Sequence, residues 1–165
     1  MQGETGRASV MIGDLKRAGL KLTPQRIAIV HLFAGDESHP TAQDLFERLR
    51  PAFPTMSFAT VYNTLDALAR AGLAGIVRIP GKRGDAARFD PNTTAHHHAV
   101  CDGCGAVLDI AARTLAPTPG AVTKLARAVP GFSVRAVERT YRGLCGSCSE
   151  GHRGRSPGAT RSPVT

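Results

Sequence analysis

The sequence predicts an α+β chain in two parts: a helical half closed by a β-hairpin, then a half in which strands, one helix and two cysteine pairs alternate. Three observations predict it. Capping residues and apolar stripes at helical spacing recur through the first 70 residues. Two short extended stretches flank the glycine-rich, basic turn P-G-K-R-G-D at 80–85. The C-x-x-C pairs Cys101/Cys104 and Cys145/Cys148 bracket a 40-residue interval, long enough to hold a complete helix. With 165 residues, 42% of them hydrophobic, the chain can build real cores without disulfides.

A first helix is predicted over about 9–18, stopped by Gly19. Thr23 caps and Pro24 opens a second, in which Ile27, Val30, His31 and Phe33 can face a core and Ala34-Gly35 ends the run. Thr41 caps a third, with Leu45, Phe46 and Leu49 as its apolar stripe and Pro51 beyond its last turn. Ser57 caps a fourth, running to about residue 70, with Val61, Leu65 and Leu68 at i, i+4 and i+7 and Gly72 as terminator. Its other face carries Thr60, Tyr62, Asn63 and Asp66, and an outward tyrosine beside small hydrogen-bonding side chains suits the major groove of DNA. An ordinary amphipathic helix is the competing reading of that feature alone.

Extended stretches at 73–79 and 87–90 follow, so helices are succeeded by a hairpin in the order of a winged helix-turn-helix. Lys82 and Arg83 at the wing tip are placed for phosphate contacts, as is Arg26, for which a structural salt bridge is the alternative. The formal charge of +8 favours an anionic partner, although it is spread along the chain.

The second half reads as strands at 94–100 and 106–110, a helix at 117–128 and a long strand at 132–141. Four cysteines on two tight knuckles, C-D-G-C-G and C-G-S-C-S, suit a tetrahedral structural zinc that pins the helix-strand unit to the hairpin. A thiol oxidoreductase using one C-x-x-C is the competing reading; it needs a low-pKa thiol at a helix N-terminus, and neither pair is predicted there. Three consecutive histidines, His96–His98, precede the first knuckle. On a strand His96 and His98 share one face and His97 takes the other. Asp90 and Asp109 are carboxylates the hairpin can bring to the same place, and His39 precedes the third helix. Imidazoles and carboxylates without thiolate favour Fe(II) or Mn(II), although Zn(II) binds such sites too.

L-K-L-T-P-Q-R (20–26), H-P-T-A-Q-D-L (39–45), S-F-A-T-V-Y-N-T-L (57–65), R-F-D (88–90), H-H-H-A-V-C-D-G-C-G (96–105) and the terminal C-x-x-C stand in an order that resembles the ferric-uptake-regulator superfamily of bacterial metal-dependent repressors. The resemblance covers about 10–148. It implies a homodimer that binds a double-stranded DNA operator; the residues read here for that contact are Ser57, Thr60, Tyr62 and Asn63 on the fourth helix, with Arg26 and Lys82 at phosphates. Its domains would be a winged-helix domain at 9–90 and an α/β dimerisation and metal-binding domain at 91–148, with disordered ends at 1–8 and 149–165. One structural Zn(II) per subunit would sit on Cys101, Cys104, Cys145 and Cys148. One regulatory Fe(II) or Mn(II) per subunit would sit on His39, Asp90, His96, His98 and Asp109 and favour the conformer that fits the operator. Two aspartates in that set are similar to the peroxide-sensing branch, in which bound Fe(II) reacts with peroxide and a ligand histidine, here His39 or His96, is oxidised. The expectation is a peroxide-responsive repressor of oxidative-stress genes and not an enzyme; a repressor of iron or other metal uptake is the alternative within the superfamily. No stretch reaches the roughly 20 apolar residues of a membrane span and the start lacks a secretory pattern, so the expected location is the cytoplasm.

Overall fold

The computed structural model describes residues 2–78, 86–115, 120, 124, 127–129, 131–133, 137 and 139–153. The chain divides into two compact units, Met1–Thr94 and Ala95–Thr165.

The first unit contains α1 (Gln2–Arg17), α2 (Pro24–Ala34), α3 (Ala42–Leu49), α4 (Phe58–Arg70), β1 (Gly75–Val77) and β2 (Arg88–Asp90). Local chemistry sets the helix ends. Thr23 accepts from the Arg26 N–H at 3.3 Å, and Ser57 from the Thr60 N–H at 3.2 Å. Thr41 and Asp44 form a reciprocal capping box, Asp44 N–H to Thr41 Oγ1 at 3.1 Å and Thr41 N–H to Asp44 Oδ2 at 2.8 Å. After α4 the Leu73 and Gly72 N–H groups turn back to the Leu68 and Ala69 carbonyls, a reversal that puts Gly72 at φ +72°. The helices bury Met11 and Leu15 of α1, Ile29 and Phe33 of α2, Leu45 of α3 and Val61, Leu65 and Leu68 of α4 around one core, which Phe89 of β2 joins. His31, expected to face this core, is exposed instead.

α1 begins at Gln2, so residues expected to be disordered open a helix. Ala8 belongs to the same buried stripe as Met11 and Leu15, one turn earlier, and the Arg7 guanidinium reaches the Ala34 carbonyl at 3.3 Å. β1 and β2 pair antiparallel, Gly75 opposite Asp90 and Val77 opposite Arg88. Helices followed by this two-stranded wing make the unit a winged helix-turn-helix. The wing tip at 79–85, including Lys82 and Arg83, lies outside the described residues.

In the second unit β3 (His96–Cys101) is the central strand, antiparallel to β4 (Val107–Ala111) and parallel to β5 (Thr140–Gly143), with order β4-β3-β5. A 3₁₀ turn, Ala112–Leu115, follows β4, and α5 (Gly146–Arg153) ends the described chain. Most of the helix expected at 117–128 lies outside the described residues. Of the long strand expected at 132–141, residues 134–136 and 138 lie outside the described residues; Phe132, Ser133, Val137 and Arg139 are not strand, and described pairing runs from Thr140 to Gly143 in register with β3. Residues 149–153, expected to begin a disordered tail, are helical, because the Ser149 N–H bonds the Cys145 carbonyl at 2.8 Å and carries the turn begun at the cysteines into α5. The result is an α+β chain, with no described helix long and apolar enough to cross a membrane.

Candidate metal centres and nucleic-acid interface

Cys101 ends β3 and Cys104 closes the turn into β4; Cys145 immediately precedes α5 and Cys148 lies in its first turn. The parallel pairing of β5 with β3, which sets Gly143 beside Cys101, brings the two knuckles together. All four sulfurs lie within 4.8 Å of one another. Cys104 and Cys145 are 3.8 Å apart at sulfur, the separation of about 3.8 Å that tetrahedral zinc with bonds near 2.3 Å requires. The backbone N–H of Cys104, then that of Cys145, lowers the Cys101 thiol to about 6 against the opposing effect of burial. Hydrogen bonds to the Cys145 and Cys101 sulfurs, with burial, raise Cys148 to about 12. One thiolate stabilised by backbone N–H groups, beside a Cys148 thiol pushed the other way by its sulfur neighbours, is a donor set that a divalent ion completes. Gly103 permits the approach: a Cβ there would stand 2.8 Å from the Cys148 sulfur.

The expectation that neither pair opens a helix is corrected, since Cys145 and Cys148 stand at the start of α5. Placement at a helix N-terminus is one requirement of a thiol oxidoreductase. Convergence of all four sulfurs is not, and it is what a structural metal needs.

In the first unit His39 and Asp90, 51 positions apart in sequence, are neighbours. His39 Nε2 lies 3.6 Å from Asp90 Oδ2, and both side chains are buried. Phe89 N–H donates to the Pro40 carbonyl at 2.9 Å, and Thr41 bridges to Arg88, so β2 runs against the segment that carries His39. His39 Nδ1 faces the Glu37 carbonyl at 3.1 Å, which turns Nε2 toward the carboxylate. Upstream, Asp36 Oδ1 accepts from the Ser38 N–H at 2.9 Å and from its hydroxyl at 2.5 Å, while Arg48 pairs with Oδ2. Burial raises the Asp36 pKa, but the Ser38 hydroxyl and N–H together with Arg48 outweigh it and hold the carboxyl below its usual value.

In the second unit His96 and His98 point to one face of the sheet, with Asp109 directly across from His98 on β4. The two Nε2 atoms are 2.8 Å apart, and Asp109 Oδ1 lies 3.5 Å from that of His96 and 3.9 Å from that of His98. Two imidazoles and a carboxylate therefore converge. His97 takes the other face, its ring centre 6.4 Å from that of Tyr141. Leu108, opposite Ala99, and Tyr141 on that face are exposed.

α4 presents Phe58, Tyr62 and Asn63 outward, with Tyr62 46% exposed. Ser57 and Thr60 also lie at this end, but their hydroxyls bond each other at 2.9 Å and serve the cap. Tyr62 packs edge-on to buried Phe89 with centroids 6.5 Å apart, which fixes the ring while leaving part of it open. Arg26, half-buried, gives Nη1 to the Lys21 carbonyl at 2.7 Å, a bond within the first unit. Sequence reasoning missed exposed Phe58, the glycine contact at Gly103, and Arg88, whose Nη1 donates to the His39 carbonyl at 3.1 Å. Phe58 was within reach, since it falls four positions before Tyr62 on the same helix face.

Comparison with known proteins places this arrangement. The ferric uptake regulator family model matches residues 17–125. A peroxide-responsive repressor PerR of Staphylococcus epidermidis is 36% identical over 139 residues, covering 84% of this chain and 88% of that protein. A peroxide operon regulator of Bacillus subtilis is 39% identical over 137 residues, 82% of this chain and 89% of that protein. Among solved structures, a zinc uptake regulator complexed with zinc and DNA is similar with a TM-score of 0.61 and 25% identity, covering 91% of this chain and 97% of that one. With the family model matching well over half its length, and relatives above 30% identity spanning most of it, the chain belongs to the ferric uptake regulator family.

Proposed function

We propose that the chain is a metal-dependent, DNA-binding transcriptional repressor that responds to peroxide and works as a cytoplasmic homodimer. One observation carries the reading: each unit gathers nitrogen and oxygen donors with no thiolate among them, His39 with Asp90 in the first and His96 with His98 and Asp109 in the second. This donor chemistry suits Fe(II) or Mn(II), one per subunit, while the cysteine quartet suits one structural Zn(II) per subunit. One ion bound to both halves would hold the units in one arrangement, and only an arrangement that fits the operator would be favoured.

For the DNA contact, the open edge of Tyr62 and the amide of Asn63 on α4 supply the chemistry of base-edge reading. Ser57 and Thr60 stand at the same helix end, and Arg26 and Lys82 are assigned to phosphates. The relatives named as peroxide-responsive regulators support the choice of signal, as do two aspartates in the donor set. Fe(II), when bound, would supply one-electron chemistry toward peroxide; the chain would supply the imidazole of His39 or of His96 as the group to be oxidised. Support for the homodimer comes from the exposed apolar face around Leu108, Ala99 and Tyr141, which an equivalent sheet can cover.

The test is peptide mass analysis of the Fe(II)-loaded protein after mild peroxide, with DNA binding followed in parallel. Added oxygen on the His39 or His96 peptides together with loss of DNA binding is expected. Unmodified peptides with DNA binding retained would falsify the peroxide reading, and release by chelation alone would point to a metal-uptake repressor.

A further inference from the structure

We infer that Arg88 is a positioning residue for the regulatory metal, holding the His39 imidazole against Asp90 before any ion binds. The inference rests on the reading that His39 and Asp90 are ligands, and it assigns a role to a residue outside the ligand set. His39 adopts φ +55°, and among the described residues it is the one non-glycine with positive φ. L residues rarely take that conformation, and where they do the surroundings hold them there.

Two restraints flank it. On the N-terminal side, Asp36 ties down Ser38 through backbone and hydroxyl and is itself held by Arg48. On the C-terminal side, Arg88 Nη1 donates to the carbonyl of His39 itself at 3.1 Å, and the next bonds along the chain join Pro40 and Thr41 to β2.

The order of residues on β2 makes this clamp specific. Alternation sends Phe89 into the core, where it is 2% exposed, and puts Arg88 and Asp90 on the opposite face. A three-residue strand thus supplies an anchor, a carboxylate, and a guanidinium that grips the backbone of the other donor. The 3.6 Å between His39 Nε2 and Asp90 Oδ2 exceeds a hydrogen bond. It is close to the separation of roughly 3.0–3.5 Å that two donors bonded to one ion near 2.1 Å adopt. Restraints on the segment contribute to that spacing: the Glu37 carbonyl orients the ring through Nδ1, and Arg88 grips the His39 carbonyl from β2.

The experiment is calorimetric titration of full-length, zinc-replete protein with Mn(II) alone, comparing wild type with Arg88→Ala, Arg88→Met and His39→Ala. Removing a group that orients a ligand lowers metal affinity about 10- to 100-fold, and that loss is expected for both Arg88 variants, with zinc content and metal-free melting temperature unchanged. Arg88→Met keeps the aliphatic stem and decides the matter if Arg88→Ala fails to fold. Wild-type Mn(II) affinity in a folded Arg88 variant overturns the inference, whether or not stability falls. His39→Ala should abolish the same binding; wild-type affinity there would instead remove His39 as a ligand and with it the reading on which the clamp depends.

Discussion

At the scale of single residues, Tyr62 and Gly103 separate what binds from what folds. Tyr62 is braced by Phe89 and half open, so the base-edge contact proposed for it would carry little entropic cost of fixing the ring. Tyr62→Ala should lose about 1–3 kcal/mol on the specific operator and much less on random DNA, as measured by competition binding. Equal losses on both would reduce the ring to packing. Gly103 makes a different point: no side chain fits between its backbone and the Cys148 sulfur, so Gly103→Ala must move one knuckle off the other. Zinc per chain, measured after dialysis against a weak chelator, should fall well below the wild-type value while the helices of the first unit persist. Neither the clearance at Gly103 nor the Arg88–His39 bond was legible in the sequence, because each joins segments more than 40 positions apart. The one local signal at His39 was Pro40, which disfavours helical backbone in the residue before it, though it does not call for positive φ.

Elements show where sequence reasoning works and where it stops. The caps at Thr23, Thr41 and Ser57 and the stop at Gly72 were readable because a cap is decided within four residues. Thr41→Ala removes the hydroxyl that accepts from the Asp44 N–H, while the bond from the residue-41 N–H to Asp44 Oδ2 remains; it should cost about 1 kcal/mol in urea unfolding, with an unchanged slope. Conversely, the bounds of β5 follow from parallel pairing with β3, a nonlocal choice that alternation of residue types does not encode. α5 escapes sequence reasoning for a related reason: the C-x-x-C spacing marks Cys145 and Cys148 as ligands on a turn, and only the structure shows that turn continuing into a helix. The N-terminal start of α1 was hidden because Ala8 contributes to the buried stripe without looking strongly apolar.

For the whole molecule, two kinds of donor have two purposes. Sulfur alone gathers at the two knuckles, where an ion would join β3 to α5 inside one unit. Nitrogen and oxygen gather within each unit, His39 with Asp90 in the first and His96 with His98 and Asp109 in the second, the donors proposed above for the regulatory ion. The direct test is Mn(II) uptake by zinc-replete protein, with both metals counted per chain in wild type and in Asp109→Ala. Separate centres predict one Mn(II) added while zinc stays at one per chain, and loss of that manganese alone in the variant. Displacement of zinc by manganese, or undiminished manganese uptake in Asp109→Ala, would contradict a regulatory centre distinct from the cysteine site.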